Sequence, residues 1–178
     1  MPLDFTPRNP VVGTKHLAIL VIALVFASPA AAQQGCLKPA EAEAVRVRVL
    51  QTELTVGALT CGWQSRYAGF VQRFEPALAV HAAQLRRYFD RLHGAAAEAR
   101  LDDFITALAN DMALYNVSSG RRICAALDGR LRALRSVEPG GLSGYVRRAQ
   151  LPPLPVPQRC PDQAAEGKAE QPLSQQPG

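Results

Sequence analysis

Leu50-Gln51-Thr52-Glu53-Leu54-Thr55-Val56-Gly57-Ala58-Leu59-Thr60-Cys61 reads as the second half of a buried central helix that ends in a half-cystine. Val47, Leu50, Leu54, Ala58 and Cys61 recur every three or four residues, so they share one helical face. Val45, Val49, Val56 and Leu59 widen the apolar side, and from Ala40 to Cys61 there is no proline. A helix of that length spans roughly 30 Å at about 1.5 Å per residue, the width of a small domain. Other elements can therefore pack around it. Arg46, Arg48 and Glu53 are expected toward its rim. Gly57 costs about 1 kcal/mol against alanine inside a helix, and its presence predicts a close approach by a neighbouring helix. Gly62 is placed to end the helix in the left-handed conformation.

Upstream, residues 1–32 read as a secretory signal peptide. Arg8 and Lys15 supply a positive leader, and Leu17 to Ala27 is an apolar run of eleven residues. Ser28-Pro29 breaks the run, and Ala30-Ala31-Ala32 gives a small-x-small cleavage pattern, with the cut expected after Ala32. The run is too short to cross a bilayer core of about 30 Å as a helix. A lipid anchor through Cys36 is the lesser alternative, because Gln33 stands where a lipobox wants an aliphatic residue. No later segment is long and apolar enough to span a membrane, so the expected location is the periplasm, reached by secretion across the inner membrane.

All four cysteines, Cys36, Cys61, Cys124 and Cys160, lie beyond that cleavage point. An even number in an exported chain argues for two disulfides and leaves three connectivities open. The favoured arrangement is Cys61 with Cys124, joining the end of the central helix to the start of the last one, and Cys36 with Cys160, tying the two flanks together. No Cys-x-x-Cys occurs and no histidine stands near a cysteine, so neither a zinc site nor a thioredoxin-like redox pair is expected.

Downstream, Tyr67, Phe70, Val71 and Phe74 form a helical aromatic face, and Pro76 starts a new segment or kinks the old one. Leu78, Ala82, Leu85, Tyr88, Phe89 and Leu92 make the next stripe, closed by His93-Gly94. Ala95 to Tyr115 is a third helix, with Leu101, Phe104, Ile105, Leu108, Met112 and Tyr115 on one side. Asn116 to Gly120 reads as a loop, and Arg121 to Val137 as the last helix, turning Ile123, Cys124, Leu127, Leu131 and Leu134 inward. No stretch alternates with a period of two. Residues 33–148 are thus one helical domain. In 149–178, Pro152, Pro153, Pro155, Pro157, Pro161, Pro172 and Pro177 mark a flexible tail, extended or disordered, held at one point where Cys160 is bonded. The expected fold is all-α: a small disulfide-stapled bundle of four to five helices with a disordered Pro-rich C-terminal tail.

Leu50-Gln51-Thr52-Glu53-Leu54, Ala58-Leu59-Thr60-Cys61, Tyr67, Phe70-Val71, Phe74, Leu108-Ala109-Asn110-Asp111 and Cys124 together resemble an uncharacterised group of small exported bacterial proteins. The resemblance covers residues 36–130, and the segment ending in Cys61 is its most specific part. It implies a bacterial envelope location and supports the 61–124 bond. It carries over no functional residue, because the group has no assigned activity, substrate or cofactor.

Catalytic signals are sparse. His81 and His93, the two histidines beyond the leader, are twelve residues apart, which separates them by about 18 Å on one straight helix. They cannot share a metal there. Asp102 and Asp103 are adjacent, so they point about 100° apart on a helix and do not converge on one atom. No nucleophile elbow, phosphate loop or cysteine–histidine pair is present. No cofactor and no metal are expected. Gln51 and Asn110, amides close to apolar stripes, either bond between helices or line a small cleft with His81. That cleft is the basis of an alternative reading, a small-ligand binder or small enzyme.

Arginine is the remaining signal: beyond the leader there are 16 arginines and 2 lysines, and the whole chain carries a formal charge of +5. Arg86, Arg87 and Arg91 share one helix, and Arg121, Arg122, Arg132 and Arg135 another. Guanidinium forks suit carboxylates and phosphates. The expected partner is a protein or anionic component of the envelope, bound without catalysis. An exported location argues against nucleic acid.

Overall fold

The computed structural model of the chain describes residues 35–119 and 122–161, with only the backbone of Ser119. The signal-peptide reading of 1–32, Arg121, and the tail beyond Pro161 lie outside the described residues.

The central helix, α1, runs Pro39–Cys61. Pro39 occupies its first turn, where the missing N–H costs nothing. The Glu41 carboxylate accepts the Lys38 N–H at 2.8 Å and caps the same end. At the other end Gly62 takes φ 71°, the left-handed region, and the Trp63 N–H reaches Ala58 O at 2.8 Å. Because α1 is wrapped on most sides, most of its valines and leucines are buried in both directions rather than along one stripe; Leu59, expected to widen the apolar side, is instead 63% exposed in the last turn. Val45 and Val49 join Leu85, Tyr88, Phe89, Leu108 and Met112 in one cluster. Val47, Leu50 and Leu54 join Phe70, Phe74, Leu78, Leu127, Leu131, Leu142 and Val146 in a second.

The next helix, α2, spans Gln64–His93 without interruption, so Pro76 neither starts a new segment nor ends the old one. Proline removes one backbone bond at a cost of about 3 kcal/mol. Phe74 and Leu78, on either side of it, are both buried against α1 and keep the helix continuous. A 3-10 turn, Gly94–Ala96, leads into α3, Ala97–Ser119. That helix passes through the expected loop at 116–119, because Asn116 and Met112, one turn apart, are both buried. Helix α4 is Arg122–Arg135, with Leu127, Leu131 and Leu134 inward as expected; Ile123 and Cys124 are half-buried. A 3-10 turn, Pro139–Gly141, then gives a short fifth helix, α5 (Leu142–Arg148), which periodicity did not reveal. Its Leu142 and Val146 are fully buried.

Among the described residues the fold is all-α, stapled by Cys36–Cys160 and Cys61–Cys124 with Cα–Cα distances of 4.8 and 5.8 Å. The largest departure from expectation is the start of the tail. Residues 150–161 are extended but held at many points rather than at Cys160 alone. Leu151, Leu154 and Val156 pack on the core, the Leu37 N–H donates to Gln158 O at 2.8 Å, and the Cys160 N–H donates to Leu37 O at 2.9 Å. Those two bonds make a single parallel bridge. The prolines prevent helix here, but the leucines and valine between them still find apolar surface.

Candidate functional site

Most of the arginines that made the chain basic serve its own fold. Arg46 on α1 donates through Nε and Nη2 to Val146 O and through Nη2 to Ala149 O, at 2.6–2.9 Å, which satisfies the C-terminal carbonyls of α5. Arg73 donates to Val137 O, just past α4, at 2.9 Å. Arg66 pairs with Asp128, and Arg147 with Glu43. Arg91 grips the Glu41 carboxylate at 2.6 Å, reaches Cys36 O at 3.3 Å and lies over the Tyr88 ring. It is thus turned to an internal use and does not stand open for an anionic partner. Arg86, Arg87 and Arg122 are exposed.

Arg48 is different. It is half-buried on α1 and lines a groove of about 370 Å³ between α2 and α3, next to Arg86. Its Nε is buried and has no hydrogen-bond partner, and among the described residues no carboxylate pairs with it. Burial pulls its proton affinity below that of an ordinary arginine; Tyr67 opposes this, and the like charge of Arg86 adds to it. Leu85, Phe89 and Leu101 give the groove an apolar lining, and Asp90, Glu98 and Asp102 line it as well. The rim position expected for Arg48 fails because α2 and α3 close over that side of α1.

His81, Gln51 and Asn110 do not share any of the four grooves found. Asn110 is exposed on α3, midway between buried Leu108 and Met112 and so on the opposite face. Gln51 is half-buried on α1 and lines none of them. His81 lies in a shallow groove with Glu43 and Ser143, its Nε2 3.1 Å from Ser143 Oγ. Burial would raise the Glu43 pKa, but hydrogen bonds from Ser143 and Arg147, with the positive charge of Arg147, hold it below the usual carboxylate range. Glu43 is therefore an acceptor, and its pull on the Ser143 hydroxyl competes with a histidine base for that proton. His81 Nδ1 is buried without a partner, so no third group orients the ring as a catalytic base. Burial lowers the His81 pKa, with Glu43 opposing, which keeps the ring neutral.

A larger cavity, about 540 Å³, lies where α1, α3, α4 and the extended segment meet. Glu53, expected at the rim, is covered there. Its Oε1 accepts from Arg130 Nε and Nη2 at 3.3 and 3.1 Å, and Arg130 Nη2 also donates to Gln150 O at 2.7 Å. Burial pushes the Glu53 pKa up while Arg130 pulls against it. Burial pulls Arg130 down, but bonding to Tyr145 and the charge of Glu53 outweigh that and raise it. Glu53 Oε2 and Asn116 Nδ2, both buried, have no partner. Asn116 carries the signature of a loop residue, and its i, i+4 relation to Met112 is the sequence feature consistent with its burial.

Among the described residues no group of three histidine, cysteine or acidic side chains is placed to hold a metal, and no helix is long and apolar enough to cross a membrane. The two disulfides point to an oxidising, extracytoplasmic compartment. Comparison with known protein families, with curated proteins and with solved structures finds no match for the chain.

Proposed function

We propose that the chain is exported to the bacterial periplasm by its residues 1–32 and acts there as a non-enzymatic binding protein. Its partner is a protein or envelope component that presents a carboxylate or phosphate to the groove between α2 and α3. The observation that supports this is the Arg48 guanidinium, half-buried beside Arg86, with its Nε unpaired. The buried Nε–H lacks an acceptor, and a carboxylate or phosphate oxygen would supply one. Arg87, one residue on, is exposed but does not line the groove. The serine–histidine contact supplies no reason to prefer an enzyme, and the alternative cleft of Gln51, His81 and Asn110 gains no support from their separate positions.

The test is equilibrium binding of the mature protein to inorganic phosphate, to an oligoglutamate peptide, and to vesicles with and without phosphatidylglycerol. At least one anionic probe should saturate, and neutral phosphatidylcholine vesicles should not bind. Arg48→Met and the double variant Arg86→Glu/Arg87→Glu should each weaken binding by about tenfold or more, as expected when a charge-assisted bond is lost. Binding that ignores both variants, or no saturation by any anionic probe, overturns the reading. Export is checked separately: the N-terminal residue of material recovered from the host should be Gln33.

A further inference from the structure

The cavity beneath the extended segment holds two buried polar atoms of opposite need. Glu53 Oε2 is an acceptor without a donor, and Asn116 Nδ2 is a donor without an acceptor. Buried polar atoms are nearly always paired, and leaving one unpaired forfeits its hydration with nothing in return. Both side chains line the same space of about 540 Å³, and Asn116 is only 7% exposed. Neither atom is a by-product of poor local packing. Glu53 is held by Arg130, which is itself fixed to Gln150 O, so one carboxylate oxygen is committed and the other is left over. Asn116 sits one turn beyond fully buried Met112 on a continuous helix, so its position is set by the backbone. Ile123 and Leu127 from α4 and Leu151 from the extended segment make the apolar part of the wall, and Ser118, Arg122 and Arg130 line it as well.

We infer that this cavity is a binding site for a small ligand carrying a secondary amide. The amide N–H would donate to Glu53 Oε2, its carbonyl would accept from Asn116 Nδ2, and the alkyl group beside it would lie against the apolar wall. An N-acetyl group and a peptide unit share this chemistry. An ion does not fit it, because the two atoms ask for a donor and an acceptor together. The site is separate from the Arg48 groove: Arg48 and Arg86 do not line it, so either assignment can fail without the other.

The experiment is a titration of isotope-labelled oxidised protein, followed by NMR, with N-acetylglucosamine and with N-acetylalanine methylamide. Glucosamine and methyl acetate, each lacking half of the amide, are the controls. Saturable shifts of the Asn116 side-chain NH₂ and of the Ile123, Leu127 and Leu151 methyl groups are expected with one or both amide probes. Which probe saturates at lower concentration distinguishes a sugar source from a peptide source. Asn116→Asp replaces the donor with an acceptor and leaves the Glu53–Arg130 pair untouched; Glu53→Gln removes the charge. Each should raise the dissociation constant by about tenfold or more. Should Glu53→Gln unfold, Asn116→Asp and the direct shifts of the wild-type Asn116 amide still decide the matter. Three results overturn the inference: no saturation by either amide, controls that bind as well as the amides, or an Asn116 NH₂ that shows only contact with water.

Discussion

Gly57 on α1 faces Leu127 on α4 so closely that a Cβ on Gly57 would lie 3.0 Å from Leu127 Cδ2 and 3.3 Å from Cδ1. The helix tolerates a glycine at about 1 kcal/mol because this contact needs the space. Alanine at 57 recovers that propensity but presses on Leu127, which is 2% exposed and must give way by a few tenths of an ångström toward the cavity it lines. Overpacking of this kind costs about 1–3 kcal/mol. Gly57→Ala should therefore lower stability by about 1 kcal/mol, and Leu127→Ala by about 2–4 kcal/mol. The double variant should lose clearly less than the two single losses together, since each change relieves the other. Urea unfolding of the four proteins measures this, and strict additivity would show that the two residues do not share a contact.

Arg46 ties α1 to the carbonyls that end α5, at Val146 and Ala149, through its guanidinium fork. A seven-residue helix cannot persist by itself in water. Arg46→Met keeps the apolar stem and removes the fork, so the loss should be about 1.5–3 kcal/mol, the worth of hydrogen bonds to a charged group. Arg46→Lys should restore less than half, because one ammonium cannot reproduce the planar fork. The amides of α5 should exchange faster in both. Stability within about 0.5 kcal/mol of wild type in Arg46→Met would place α5's hold elsewhere.

The same two residues show what was legible in the sequence. Val47, Leu50, Leu54 and Ala58 announce α1 because their spacing is local, and Gly57 announces a close neighbour because its cost needs a reason. The half-cystines at 61 and 124 fall at helix ends, which favoured the pairing that forms without excluding the other two connectivities. What escaped was non-local. Arg46, Arg48 and Glu53 lie off the main stripe of α1, and only the arrival of α2, α3, α5 and the extended segment turns that flank inward. Leu142 and Val146 are too few to show a helical period. Leu151, Leu154 and Val156 sit among prolines, whose composition signals an open tail while the residues between them pack. Asn116, an amide next to Val117-Ser118-Ser119, carries a loop signature that burial one turn after Met112 overrides. The candidate sites fall where those distant segments close, which is why the cleft expected from Gln51, His81 and Asn110 is not among them.

Cys36–Cys160 closes a separation of 124 residues and Cys61–Cys124 one of 63, so the chain-entropy model assigns them about 5 and about 4 kcal/mol. Native material should show no thiol reactive to Ellman's reagent before reduction. Replacing Cys36 and Cys160 with serine should destabilise by about 2–5 kcal/mol and speed exchange first at the Leu37 and Cys160 amides, which bridge beside that bond. Replacing Cys61 and Cys124 should loosen the start of α4 instead. Exchange that changes uniformly across the bundle in both variants would mean that neither bond protects a particular segment.

His81 and Glu53 should act against each other as the pH is lowered. Burial depresses the His81 pKa below 6.5, with Ser143 and Glu43 facing the ring, so below 6.5 the unfolded chain binds the extra proton first. Its contribution is present above 6.5 and is lost as pH falls toward the folded pKa. Burial raises the Glu53 pKa above 4.5, with Arg130 facing it, so between 4.5 and that raised value the folded chain binds the extra proton. Its contribution is full below 4.5 and is lost as pH rises through the folded pKa. Glu43 and Asp128, both depressed, act only below their ordinary values of 4.5 and 3.8 and leave this window clear. The slope of wild-type stability between pH 4.5 and 6.5 should therefore lie between those of variants that lack one or the other group. His81→Gln removes the term that favours high pH, so its melting temperature should rise on acidification across the window. Glu53→Gln removes the opposite term, so its melting temperature should fall on acidification more steeply than that of wild type. Thermal unfolding at half-unit pH steps measures all three slopes, and identical slopes would show that neither burial shifts the proton balance of folding.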